Sequence, residues 1–275
     1  MPMHVGEAIE LPTPVSVSTS GTSERAVVEP MTIPPSRKKM GSRPINDEEI
    51  EIPCQTDSQQ LLGQRRCVMS LSEFGVGNFN GLRFCVIREC PKIQTVIASK
   101  ELSEAVFPIL EHLSINYLSN FNRISEGMIP QGSFAKLRML TIQTCPKFQF
   151  VFASSMLQIF SNLEELIVED CPAIEEIIFQ DRVVDSGSDT LPSLKRLKLH
   201  YLPRLVNIMK GTWPPLESIS FYDCPRLKKL GIDSNTCHTL KEIKAENDWW
   251  EDLDLQDTLR LPLQARFTPI CDNDL

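Results

Sequence analysis

The sequence predicts an α/β solenoid in which short parallel strands stack side by side, one per repeat. Three observations predict it. An apolar unit recurs along the chain at intervals in the twenties. Within each unit the apolar residues stand two apart, as they would on one side of a strand. Each unit closes on a Cys-Pro pair or an apolar equivalent at the same place.

The unit is clearest in Leu163, Leu166, Val168, Cys171, Pro172, Ile174 and Ile177. It returns in Leu137, Leu140, Ile142, Cys145 and Pro146, and in Leu216, Ile219, Phe221, Cys224 and Pro225. Leu82, Cys85, Ile87, Cys90 and Pro91 repeat it with one small substitution. Two copies, opening at Leu110 and Leu194, put Leu118 and Leu202 at the cysteine position, and a seventh opens at Leu240. The opening leucines are 28, 27, 26, 31, 22 and 24 residues apart, which is the signature of leucine-rich repeats. Residues two apart on an extended chain face the same side, so each repeat buries its second and third apolar residues beside those of its neighbours. No repeat can bury its face alone, and stability comes from stacking. The expected fold is therefore a horseshoe with a parallel sheet on its concave face. The segments between strands show no sustained helical period. They predict mostly irregular convex connections, with 3₁₀ pieces and a few short helices.

Taken in order, residues 1–60 read as a disordered arm rich in Pro and Ser: eight of the twenty prolines fall by Pro53, and large apolar residues are sparse. Its basic triplet, Arg37-Lys38-Lys39, reads as solvated charge. Residues 61–78 turn apolar again and are expected to cap the first repeat, since an uncovered solenoid end exposes core and a strand edge. Residues 79–253 hold about seven repeats. The long interval after Leu163 contains a polar insertion, Gln180 to Thr190, expected as a surface loop. Trp249 and Trp250 stand where the last repeat needs cover, and aromatic side chains bury enough area to provide it. Residues 254–275 read as an acidic tail that frays.

The chain of 275 residues carries a net charge of −8, which argues against a nucleic-acid footprint. The cysteines number nine, an odd count. Four of them (Cys90, Cys145, Cys171, Cys224) share one repeat position, so they read as reduced core thiols in a cytoplasmic protein. The first residues contain Glu7 and Glu10 and no apolar secretory core, and no run is long enough to span a membrane. There is no phosphate loop, no nucleophile elbow and no His-Glu-x-x-His zinc motif. His112 and His200 fall on different repeats and read as solvated surface histidines. Adjacent pairs such as Glu164-Glu165 point to opposite sides of a strand. The reading is therefore not an enzyme, with no cofactor and no metal.

Function is expected on the concave face, the extended surface that solenoids offer. Arg83 and Arg88 occupy it in the first repeat, and His112, Asn116 and Tyr117 in the second. Arg138 and Gln143 follow, then Glu165 and Glu169, then Arg196, Lys198 and His200, then Tyr222. In-register strands would set Glu165 beside Arg196 and Glu169 beside His200. Those charges either satisfy each other or form a polarised strip that orients a charged partner. The tyrosines favour contact with a protein.

FAKLRMLTIQTCPKFQFVF, FSNLEELIVEDCPAIEEII and WPPLESISFYDCPRLKKL, together with the closing Trp-Trp and acidic stretch, resemble the C-terminal repeats of plant coiled-coil, nucleotide-binding, leucine-rich-repeat disease resistance proteins. The resemblance covers roughly residues 60–270 and lacks the family's nucleotide-binding parts. It implies a protein-binding module of innate immunity that senses a pathogen effector or a guarded host protein, or rests against a nucleotide-binding switch domain. The alternatives are a stand-alone adaptor or decoy, and a substrate adaptor for a ubiquitin ligase.

Overall fold

The computed structural model describes residues 49–53, 70–71, 80–98, 104–181, 191–209, 213–232 and 234–271. In chain order its strands are β1 (Glu49–Pro53), β2 (Phe84–Arg88), β3 (Thr95–Ala98), β4 (His112–Asn116), β5 (Arg123–Glu126), β6 (Met139–Gln143) and β7 (Phe152–Ala153). Then come β8 (Glu165–Glu169), β9 (Ile178–Phe179), β10 (Arg196–His200), β11 (Ser218–Tyr222), β12 (Glu242–Ala245) and β13 (Phe267–Pro269). Three short helices gather at the end: α1 (Ser234–Thr239), α2 (Asn247–Glu251) and α3 (Asp257–Gln264).

One nine-stranded sheet runs β1-β2-β4-β6-β8-β10-β11-β12-β13, and every neighbouring pair in it is parallel. The chain therefore builds a leucine-rich repeat solenoid, with the register set by the leucine spacing. Leu113, Leu140, Leu166, Leu197 and Ile219 lie side by side as one row. Ile115, Ile142, Val168, Leu199 and Phe221 form the next, and all ten are buried. The return segments carry two further small sheets, β3-β5 and β7-β9, and a 3₁₀ turn, Ser154–Phe160. Between these, phenylalanines continue the stack. Phe107 lies on Phe134 at 5.6 Å, Phe134 on Phe160 at 5.4 Å and Phe121 on Phe148 at 5.0 Å.

The strand-to-turn junction explains the Cys-Pro signal. The residue just before the cysteine position adopts a left-handed backbone in six repeats: Glu89, Tyr117, Thr144, Asp170, Tyr201 and Asp223, with φ between 49° and 58°. In the first five its N–H still reaches a carbonyl of the next repeat, as in Thr144 to Glu169 at 3.0 Å. The ladder thus runs one step past the strand before the chain turns. Ile93, Phe121, Phe148, Ile174, Leu205 and Leu227 then donate back to the carbonyl three residues earlier, closing a β-turn. Proline at the second position of that turn arrives with its φ already set. The buried thiols of Cys145, Cys171 and Cys224 donate to the strand-end carbonyls of Gln143, Glu169 and Tyr222 at 3.4, 3.3 and 3.5 Å. A small apolar group with one weak donor suits this corner. Cys90 departs from the expected set of four reduced thiols, because it is disulfide-bonded. The repeat position fixes burial; it does not fix redox state.

Two expectations need correction. Residues 49–53, read as part of a disordered arm, form β1, with Ile50 and Ile52 in register with Cys85 and Ile87. The alternating Ile-Glu-Ile matches the strand period. The rest of that arm and nearly all of the segment 61–78 lie outside the described residues, as does most of the insertion after Asp181. The end of the chain, read as a fraying tail, forms α3 and the edge strand β13. Leu259 and Leu263 are four apart, so they share one helix face, and both are buried. Phe267 stacks on Trp250 at 4.6 Å. Trp249 packs on Phe221 at 5.0 Å and donates its indole N–H to Leu227 O at 2.8 Å. The Trp-Trp pair thus covers the last repeat and is itself covered by α3 and β13.

Candidate functional site on the sheet face

On the side of the sheet away from the leucines, three rows of side chains run across the strands. The first and third strand residues are mostly half-buried, whereas the fifth is buried in β4, β8, β10 and β11. That fifth row corrects the sequence reading. Asn116, Glu169, His200 and Tyr222 were expected to face solvent and are instead 4%, 8%, 2% and 8% exposed. Parallel in-register strands set successive members of a row less than 5 Å apart, so bulky neighbours cover one another.

The row is a polar network. Gln143 Nε2 donates to Glu169 Oε2 at 2.5 Å, and Lys198 Nζ lies 2.7 Å from Glu169 Oε1. His200 Nδ1 stands 4.0 Å from the same oxygen, while its Nε2 is 2.8 Å from Ser220 Oγ. Tyr201 and Tyr222 pack edge to face at 5.4 Å, with the His200 ring 6.0 Å from Tyr222. Burial pushes the Glu169 carboxyl up, but Lys198, Gln143 and His200 outweigh it and hold it below the ordinary carboxylate value. A carboxylate kept ionised by a lysine and an amide is a structural clasp.

The remaining face charges also meet partners. Arg196 Nη2 lies 2.8 Å from Glu165 Oε2, the expected register pair, and Lys244 lies 3.0 Å from Glu242. The sequence reading missed a fourth row at the strand entrance. Arg83, Glu111, Arg138, Glu164, Lys195, Glu217 and Lys241 alternate strictly in sign. Arg83–Glu111, Arg138–Glu164 and Lys241–Glu217 close at 2.8, 2.9 and 2.7 Å. Reading down the column after each opening leucine would have found it. Exposed pairs of this kind each contribute about 0–1 kcal/mol, so the row adds little to stability.

The face consequently has two halves. From β8 onward it is charged and internally neutralised. Over β2, β4 and β6 its first and third positions are Phe84, Val86, His112, Ser114, Met139 and Thr141, all half-buried. Phe84 stacks on His112 at 4.7 Å, with the Arg83 guanidinium over the Phe84 ring at 5.9 Å. Ile167 lies beside Thr141 as the apolar member of β8, and Tyr117, just past β4, is 53% exposed. Arg88 lies exposed at the rim of this half. Among the described residues no group of three or more His, Cys, Asp or Glu could hold a metal ion. No described helix is long and apolar enough to cross a membrane.

A parallel solenoid with a Cys-Pro turn in most repeats defines a leucine-rich repeat module. Residues 110–245 match the family model described as plant disease resistance protein RPS2-like leucine-rich repeats. The chain is 31% identical over 178 residues to disease resistance protein At4g27190 of Arabidopsis thaliana, covering 62% of this chain and 18% of that protein. It is 24% identical over 196 residues to putative disease resistance protein At4g19050 of the same plant, covering 67% and 15%. Disease resistance protein SUMM2, also from Arabidopsis thaliana, is 29% identical over 160 residues, covering 50% and 18%. The repeats of this chain are similar to the leucine-rich repeats of plant disease resistance proteins. The chain spans less than a fifth of the length of these relatives.

Proposed function

We propose that this chain is a non-catalytic protein-binding module of plant innate immunity, acting in the cytoplasm, whose sheet face senses a pathogen effector or a guarded host protein, or restrains a nucleotide-binding switch domain. The observation that carries the proposal is the apolar half of the face. Phe84, Val86, Met139 and Ile167 are only half-buried, on a surface that the solenoid does not need for its own core. Apolar side chains left part-exposed among small polar ones mark a contact surface, and the exposed Tyr117 at the end of β4 suits a protein partner. The neutralised half supplies register and excludes mismatched charge, while the apolar half supplies affinity.

The test is Thr141→Arg, which places a long cation between Ser114 and Ile167 on this half of the face without replacing a member of an ion pair. The wild-type chain and the variant are co-expressed in leaf tissue with candidate effectors and with nucleotide-binding domains of resistance proteins. Loss of co-precipitation with retained far-ultraviolet circular dichroism supports the assignment. Equal binding by the variant, with Val86→Arg also neutral, removes the sheet face as the site.

A further inference from the structure

The segments that follow the Cys position contain one place where three consecutive repeats depart from the others together. Two residues after that position the other repeats carry Lys92, Asn120, Lys147, Arg204 and Arg226, but the fourth carries Ala173. Four residues after it stand Gln94, Asn122, Gln149, Glu175 and Lys228, but the fifth repeat has Val206. Five residues after it stand Thr95, Arg123, Glu176, Asn207 and Lys229, but the third has Phe150. Polar side chains serve the fold at these positions elsewhere, so the solenoid itself does not call for the exceptions.

The exceptions converge in space. Phe150 stacks on Phe179 at 5.0 Å, and Phe179 and Val206 are 44% and 37% exposed. With Ala173 they line a groove of about 760 Å³. The short Ala173 side chain leaves room where its counterparts would lay a lysine or arginine. Glu175 and Arg204 pair at 2.8 Å, both more than half exposed, and Asn207 Nδ2 donates to Glu176 Oε1 at 3.3 Å. The lining thus holds two carboxylates to one guanidinium, on a chain of net charge −8. Walls this exposed suit side chains presented by a macromolecule, whereas small-molecule sites bury most of their ligand. The groove lies on the turn segments, apart from the strand rows of the sheet face.

We infer that this groove is a second protein-docking site, and that its occupant is a partner segment carrying an aromatic or large aliphatic side chain beside a lysine or arginine. The apolar side chain enters over Ala173 between Phe179 and Val206. The cation reaches Glu175 and Glu176, where the exposed Arg204 can swing aside because its pair with Glu175 is solvated.

A random-peptide display library is panned on the full chain, with counter-selection on Ala173→Lys. That variant restores the side-chain type found at this position in other repeats and so is expected to fold. Enriched peptides are then titrated by fluorescence anisotropy against the wild-type chain, Ala173→Lys, Val206→Lys and the sheet-face variant Thr141→Arg. The inference predicts peptides that join an apolar side chain to a basic one. They should lose about tenfold or more in affinity on Ala173→Lys and on Val206→Lys, and bind Thr141→Arg unchanged. Four results overturn it. No peptide may depend on position 173, or the peptides may be acidic or uncharged. Their binding may be lost on Thr141→Arg instead, which returns them to the sheet face. Or the wild-type chain may self-associate in the ultracentrifuge where Ala173→Lys does not, making the occupant a second copy. Because failure at Thr141 and failure at Ala173 are read separately, the groove and the sheet face stand or fall independently.

Discussion

Replacing Glu169 with glutamine tests whether the buried polar row clasps the charged half of the face. Glu169 is 8% exposed and is met by Lys198 at 2.7 Å and Gln143 at 2.5 Å. Glutamine keeps the shape but removes the charge and leaves one oxygen to accept where two did. Breaking a fully buried pair costs about 3–5 kcal/mol. Lys198 keeps 40% of its side chain exposed, so it recovers much of its solvation, and the expected loss is about 1–2 kcal/mol at pH 7. The sign with pH follows from the lowered carboxyl. A carboxylate whose folded value lies below its ordinary 4.5 stabilises the fold fully above that ordinary value. The contribution fades as pH falls through the folded value. The gap between wild type and Glu169→Gln should therefore hold above the ordinary carboxylate value and close as pH falls through the lower folded one. Urea unfolding followed by circular dichroism at each pH measures it. A double-mutant cycle with Lys198→Met isolates the pair and should show a coupling of about 1 kcal/mol. A gap independent of pH, or a zero coupling, would refute the clasp.

Three further outcomes are expected. Trp250→Ala should cost about 3–5 kcal/mol, and hydrogen exchange should rise in β12 and β13 but not in β4, because each repeat touches only its neighbours. Thr144→Gly relieves a β-branched residue at φ 52° and should raise stability by about 0.5–1 kcal/mol in urea titrations; Asp170→Gly at the same φ should gain less, since aspartate tolerates this backbone. Burial pushes the Cys85 and Cys224 thiols up to about 12, so native alkylation with peptide mapping should label exposed Cys271 and leave Cys85, Cys224 and Cys237 unmodified until the chain unfolds.

The strand register was legible because the leucine spacing allows only one in-register stack that buries every apolar pair. The Trp-Trp cover was legible because two large aromatics ended the pattern. The buried fifth row was not. Alternation along a strand says that Glu169 and His200 point away from the core, and they do. What buries them is the lateral neighbour on the adjacent repeat, and that depends on the size of residues some twenty to thirty positions away. The left-handed residues before each cysteine were also hidden, since none of the six is glycine. The ladder bond holds the backbone in five of them and the turn that follows holds it in all six, whatever the residue type. The α3–β13 end was not legible because a helix of eight residues leaves only Leu259 and Leu263 to mark its buried face. The alternating entrance row and the groove exceptions were both present in the sequence. They emerge only when equivalent positions are read down a column rather than along the chain.

Column reading is also what separates fold from function in a solenoid. Each repeat solves the same packing problem, so a column that keeps one residue type records what the stack requires. The cysteine-or-leucine corner and the apolar strand rows are columns of this kind. A column that changes type without altering a buried contact records something else. The entrance row changes sign at each step, yet three of its pairs close on themselves. That change is answered within the molecule. The apolar half of the sheet face and the Ala173–Val206–Phe150 departures are not answered within the described residues. Phe84 and Phe150 each stack on a ring of the next repeat, yet apolar area stays exposed there that the polar residues elsewhere in the same columns would not leave. Two unanswered departures on different sides of one solenoid fit a module that holds two partner surfaces at once. Tethering two contacts on one scaffold raises avidity without tightening either, and a module built that way responds when either surface is displaced.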